Sequence, residues 1–158
     1  MAAVAASCKK SSTVVPDWSA TVKKYAIHPS DYVEATMISE WLDTMAVRKM
    51  DVKTSPTGLN YIMEKEGDGP TIVAGDTVIV KYVGFFMNGS IFDSSESMTY
   101  VHKTNRMIQG WEEGVQLLNK GASAAFLIPS SKGYGTTGHG PIAPNVPLIF
   151  VIEVLDIK

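Results

Sequence analysis

The chain has 158 residues, 45% apolar and 19% charged, the composition of an ordinary globular domain with room for one appendage. A formal net charge of −2 with scattered lysines and arginines argues against a nucleic-acid partner, and no apolar run approaches the ~18–20 residues of a membrane span. The single cysteine, Cys8, excludes an intrachain disulfide, and His28, His102 and His139 lack ligand spacing, so no metal site is expected.

Residues 1–16 (MAAVAASCKKSSTVVP) are small and polar and are expected to form a disordered tail. Within them, Ala5-Ala6-Ser7-Cys8 followed by Lys9-Lys10-Ser11-Ser12 resembles the end of a bacterial lipoprotein signal, with Cys8 as the lipidated residue. Such a signal needs a basic region and an apolar stretch of about 7–15 residues before the cleavage site. Only seven residues precede Cys8, and Ala5 stands where leucine is usual. Either the true start lies upstream or Cys8 is a free thiol in a tail.

Residues 17–30 carry no clear pattern. Asp31-Tyr32-Val33-Glu34 has capping-box spacing, and a helix is expected over about 31–48. Val33, Met37, Ile38, Trp41, Leu42 and Met45 form its apolar stripe. That stripe either packs on the chain's own domain, the preferred reading, or serves as a dimerisation or partner-binding face. The stretch 51–58 (DVKTSPTG) is a linker-like break, so the divisions expected are a tail over 1–16, an extension over 17–55 and a main domain over 56–158.

From Leu59 the period changes to two. Leu59–Met63 predicts a short strand, and Thr77–Phe86 a long one with Val78, Val80 and Tyr82 on one face. Asn88-Gly89 marks a hairpin, and Ile91-Phe92-Asp93-Ser94-Ser95 its return strand, with Met98–Val101 as a separate candidate. Met107–Leu118 (MIQGWEEGVQLL) begins extended and turns at Gly110 into one short helix. Trp111, Val115 and Leu118 share a stripe there, and Glu112 and Glu113 occupy the first turn, where the helix dipole favours negative charge. A helix this short is marginal alone, so strands must wrap it. Gly121–Ile128 alternates, with Ala124, Phe126 and Ile128 inward. The eighteen residues 130–147, rich in Gly, Pro, Ser and Thr, are long enough to suggest a functional loop. Leu148–Ile157 closes the chain as a strand. Hairpin connections around one helix predict an antiparallel α+β domain.

Trp111, Tyr82, Phe92, Tyr134 and Phe150 come from separate segments, each on the side its pattern turns inward. Together they predict a concave aromatic cup with few ionisable groups, the character of an apolar ligand site. No nucleophile–base pair is visible, so covalent hydrolysis fits poorly.

Six pieces then stand in a recognisable order and spacing: Tyr82-Val83-Gly84, Asn88-Gly89, Phe92-Asp93-Ser94-Ser95, Ile108-x-Gly110-Trp111-Glu112-Glu113-Gly114, Tyr134-Gly135 and Leu148-Ile149-Phe150-x-x-Glu153. In this the chain resembles the FKBP-type peptidyl-prolyl cis-trans isomerases, over about residues 59–158, and Thr57-Gly58-Leu59-Asn60-Tyr61 resembles the secreted or lipid-anchored bacterial branch. The resemblance implies an FKBP-like antiparallel sheet wrapped around one short helix, with no cofactor. It implies a prolyl pocket lined by Tyr82, Phe92, Met107, Ile108, Trp111, Ile142 and Phe150, with Trp111 as the platform for the proline ring. Asp93 would lie beside the twisted carbonyl, and the Ile108 N–H and Tyr134 hydroxyl would hold ligand carbonyl oxygens. Phe92, Asp93 and Tyr134 are thus the catalytic candidates. His139 and the Gly140-Pro141 turn of a slightly shortened loop would bear on substrate preference.

Between Ser95 and Gly110 the chain is about four residues shorter than the family pattern. The arginine that partners the pocket aspartate there has no assignable counterpart, and Met98 stands for the proline-contacting phenylalanine. The resemblance implies proline-containing unfolded or nascent polypeptides as partners and a place in the bacterial cell envelope, with the cytoplasm as the alternative; macrolides inhibit many members of the family, and whether this pocket admits them is left open by the sequence. A monomer is expected because the single helix of the extension has too little face for a stable interface. The competing function is a noncatalytic FKBP-like chaperone module for apolar or proline-containing segments.

Overall fold

The computed structural model describes residues 17–158; the tail and Cys8 lie outside the described residues. Two helices, α1 (Ser19–Tyr25) and α2 (Glu34–Val47), precede the strands β1 (Lys53–Thr54), β2 (Asn60–Lys65), β3 (Thr77–Phe86) and β4 (Ile91–Val101). Helix α3 (Gln109–Val115), β5 (Ser123–Ile128), a 3-10 turn (Ser130–Lys132) and β6 (Leu148–Ile157) complete the chain. The strands form one antiparallel sheet in the order β1-β2-β5-β6-β3-β4. This is the α+β architecture that the period-two strands and the lone central helix predict.

The sheet carries a core on each face. On one face, Val78, Val80, Tyr82, Phe126, Phe150 and Ile152 close around Trp111, Val115 and Leu118 of the central segment. On the other, Ile62, Val83, Phe85, Leu127 and Ile149 meet Tyr25, Met37, Trp41 and Met45. Coverage on both sides explains why β3 (TVIVKYVGFF) and β5 (SAAFLI) carry apolar residues nearly without interruption. Trp41 is fully buried, and its indole N–H donates to the Tyr25 carbonyl at 2.9 Å, so the largest side chain of α2 leaves no polar atom unpaired.

Several local features differ from the sequence reading. Residues 19–25 are helical. The capping box over 31–34 does not form: α2 starts at Glu34, the Asp31 carboxylate accepts from the Val33 N–H, and the Glu34 side chain reaches away from its own helix. Both its oxygens accept from Ser130, one from the N–H at 2.6 Å and one from the hydroxyl at 2.7 Å. A tertiary partner with two buried donors has displaced the local cap. Met98–Val101 is the continuation of β4 and not a separate strand. Helix α3 begins at Gln109, one residue before Gly110. That glycine lies against Ile128, where an added Cβ would come within 2.5 Å of the isoleucine side chain. Among the described residues, no helix is long and apolar enough to cross a membrane.

Candidate functional site

The β3–β4 register builds the site. Val78 faces Tyr100 and Val80 faces Met98, but the next pair is Tyr82 with Ser95, so one extra residue of β4 is accommodated in a bulge. The bulge reverses the alternation of β4. Directly paired residues share a face of the sheet, so Asp93, paired with Gly84, is turned to the same face as Tyr82. The Tyr82 hydroxyl donates to Asp93 Oδ2 at 2.8 Å. Gly84 also faces Phe150 across the β3–β6 ladder. A Cβ there would lie 2.6 Å from the Phe150 ring and 2.9 Å from that of Phe92, so glycine is what lets these rings lie over the strand.

Helix α3 supplies the floor. Trp111 sits in its first turn, 2% exposed, with Tyr82 edge-on at 5.0 Å and Phe150 edge-on at 5.5 Å between centroids. Its indole N–H donates to the Tyr100 hydroxyl at 3.1 Å, which fixes the ring plane from behind. Ile108 caps the helix in an extended conformation, and its N–H has no backbone partner among the described residues. The opposite wall is Tyr134, whose ring stacks on His139 at 5.1 Å. The 3-10 turn before Tyr134 is pinned from both sides: Lys132 donates to Glu113 at 2.7 Å, and Ser130 is held by Glu34. Burial pushes Glu113 upward, but hydrogen bonds from Lys132, Thr57 and Gln109 outweigh it and hold its carboxyl below the usual range.

The result is a cavity of about 320 Å³ lined by Tyr82, Asp93, Arg106, Met107, Ile108, Trp111, Tyr134 and Phe150. Its hydroxyls resist ionisation. Burial, then the hydrogen bond and charge of Asp93, push the Tyr82 phenol far above its ordinary value, and burial with the Asp93 charge raises Tyr134. Both remain neutral donors throughout the physiological range, beside one carboxylate and one guanidinium. Such a site has the shape and lining to take a small apolar group carrying carbonyl oxygens, and the hydroxyl–carboxylate pair in its wall joins Tyr82 to Asp93.

Seven of the residues expected at the site line this cavity. Phe92 stands behind Phe150, edge-on at 5.5 Å, and His139 backs Tyr134. Ile142 is buried in the core next to them, and Met98, on the far side of the bulge, packs partly buried against that core opposite Val80. Arg106 was missed. It enters the cavity wall from the residue preceding Met107, and among the described residues no ion pair within 4.0 Å joins it to Asp93. The cue in sequence was a cation set immediately before the apolar pair Met107-Ile108. Among the described residues no cluster of His, Cys, Asp or Glu is placed to hold a metal.

Comparison with known proteins places this geometry. The model of the family "FKBP-type peptidyl-prolyl cis-trans isomerase" matches residues 69–155. A probable FKBP-type peptidyl-prolyl cis-trans isomerase of Haemophilus influenzae is 46% identical over 111 residues, covering 68% of this chain and 46% of that protein. The outer membrane protein MIP of Legionella longbeachae is 34% identical over 113 residues, covering 70% of this chain and 48% of that one. The crystal structure of FkpA from Escherichia coli superposes with a TM-score of 0.70 at 36% identity, covering 88% of this chain and 63% of that one. The chain thus spans about half the length of the curated relatives it matches. With that family's model matched over more than half of its residues, and the aromatic cavity assembled from the same segments, the chain belongs to the FKBP-type peptidyl-prolyl cis-trans isomerases.

Proposed function

We propose that the 320 Å³ cavity binds the proline ring of an X-Pro segment and catalyses rotation about the peptide bond before it. The observation that carries this reading is the Tyr82–Asp93 pair set at the wall of a largely aromatic and aliphatic cup floored by Trp111. Rotation is opposed by amide resonance, with a barrier of ~18–20 kcal/mol. Resonance is strongest when water hydrogen-bonds the carbonyl oxygen, so an apolar cup that strips this water favours the twisted amide. The Ile108 N–H and Tyr134 hydroxyl hold flanking carbonyls while the ring lies on the indole. Asp93, oriented by Tyr82, sits beside the rotating carbonyl. Gripping the twisted bond about 5 kcal/mol better than the planar one gives a few thousandfold in rate without proton transfer.

The partners on this reading are unfolded or nascent polypeptides containing proline, met by a monomer in the bacterial cell envelope. The outer-membrane name of the Legionella relative supports that location, and Cys8 would be its lipid anchor. Macrolides would compete for the same cup. The second reading, a noncatalytic holding module, draws on the missing ion pair between Arg106 and Asp93.

Exchange NMR on a short X-Pro peptide decides between them, with wild type compared against Trp111→Ala and Asp93→Ala. Wild type is expected to accelerate exchange, and each variant to lose roughly tenfold or more, at least about 1.4 kcal/mol of transition-state stabilisation. A folded wild type without acceleration would leave only the holding function.

A further inference from the structure

A second, larger concavity of about 680 Å³ adjoins the site. Residues 29–37 of the N-terminal extension form one wall, the β3–β4 hairpin a second, and residues 141–146 a third. Tyr32 and Val33 stand at its mouth, 76% and 61% exposed, while Met37, Phe86, Pro144 and Asn145 line it. Its one charged side chain is Glu34, and both oxygens of that carboxylate are engaged by Ser130. The lining therefore offers apolar surface and amide groups but no free charge.

The groove and the prolyl cavity share no lining residue, but their walls are neighbours in two ways. Phe86 packs on Phe92 at 5.0 Å, and Phe92 packs on Phe150 at 5.5 Å, so a rail of three rings joins one to the other. Those two steps match a reach of about three residues of extended chain. The loop following the 3-10 turn also serves both: Tyr134 walls the small cavity, and Pro141 to Val146 wall the groove.

We propose that this groove is an extended subsite that takes an apolar stretch of the same unfolded polypeptide whose X-Pro bond occupies the small cavity. The inference rests on the isomerase reading and adds a role for the extension, which supplies Tyr32, Val33 and Met37 to substrate binding. A volume of 680 Å³ falls in the range of small-molecule and peptide sites, about 300–1,000 Å³.

The test uses the full chain and three peptides: an X-Pro tetrapeptide, and the same peptide extended by an apolar stretch on either its N-terminal or its C-terminal side. One extended peptide is expected to show kcat/KM about tenfold higher than the tetrapeptide, chiefly through KM. Amides of Val33, Ala35, Met87 and Val146 should shift with that peptide and not with the tetrapeptide. In the double variant Tyr32→Asp, Val33→Asp, both positions being exposed, the ratio of extended to tetrapeptide kcat/KM should fall to about one. Equal kcat/KM for all three peptides, or a length advantage that survives the double variant, would overturn the proposal. So would groove amides that respond to protein concentration alongside a doubled sedimentation mass, because the occupant would then be a second copy. Failure of the isomerase reading is separately visible: no peptide would be turned over, whereas length-dependent shifts in the groove report binding by themselves.

Discussion

Trp111 and His102 sit near each other in the core but meet opposite fates. Trp111 finds a partner for its one polar atom in the Tyr100 hydroxyl, and burial pushes that phenol up to about 12, so the hydroxyl stays intact. His102 is fully buried, yet neither ring nitrogen has a hydrogen-bond partner among the described residues. Burial and then the adjacent Lys103 lower its affinity for a proton, against the smaller opposing effects of Glu112 and Asp76. The unfolded chain takes up a proton near pH 6.5, while the folded chain does so only at lower pH. The stability tied to neutral His102 is therefore complete above about pH 6.5 and drains away below it, at up to about 1.4 kcal/mol per pH unit. Urea unfolding at pH 7 and pH 5 should show a smaller drop in midpoint for His102→Leu than for wild type. Identical drops would acquit this residue.

Helix α2 and the 3-10 turn show how an element acquires a role its own sequence does not declare. Asp31 to Glu34 has the spacing of a cap, but Glu34 instead satisfies two donors of Ser130, which is 7% exposed and lies four residues before Tyr134. Lys132, two residues on, is tied to Glu113 of α3. The turn is thus held between the extension and the helix carrying Trp111, and the wall that Tyr134 forms is positioned by both. Glu34→Ala leaves a buried N–H and hydroxyl unpaired and should cost about 1–3 kcal/mol in urea unfolding, with Glu34→Gln losing less because it keeps one acceptor. A change within ~0.5 kcal/mol for Glu34→Ala would show that Ser130 finds other partners. The period-two pattern could not reveal the β4 bulge, since one added residue changes no composition and only shifts which side chains face inward. Asp93 was singled out from the compact motif Phe92-Asp93-Ser94-Ser95, and it lines the cavity; Met98 lies across the bulge from that motif, packed against the adjoining core. Arg106 was not singled out because its neighbours in space come from β3 and the loop after β5.

The two cores make the extension part of the fold. Tyr25, Met37, Trp41 and Met45 cover Val83, Phe85, Leu127 and Ile149, which belong to the strands that carry the site on their other face. Burying each large apolar side chain contributes roughly 1.5–3 kcal/mol, so this layer is a substantial share of a domain's ordinary margin of about 5–15 kcal/mol. Residues 56–158 expressed alone should melt at lower temperature and bind the dye ANS through the uncovered sheet face. A fragment that melts with the full chain and binds no dye would show the extension to be dispensable for stability. The amino-acid order by itself determined what depends on near neighbours: the Asn88-Gly89 hairpin, the strands β3 and β6, the short helix around Gly110, and the motifs that mark the family. Tertiary structure alone decided which face of the sheet the extension covers, where Glu34 spends its hydrogen bonds, how a bulge turns Asp93 toward Tyr82, and that Arg106 shares their cavity. Those outcomes depend on competition among partners tens of residues apart, and such competition is resolved only when the whole chain packs at once.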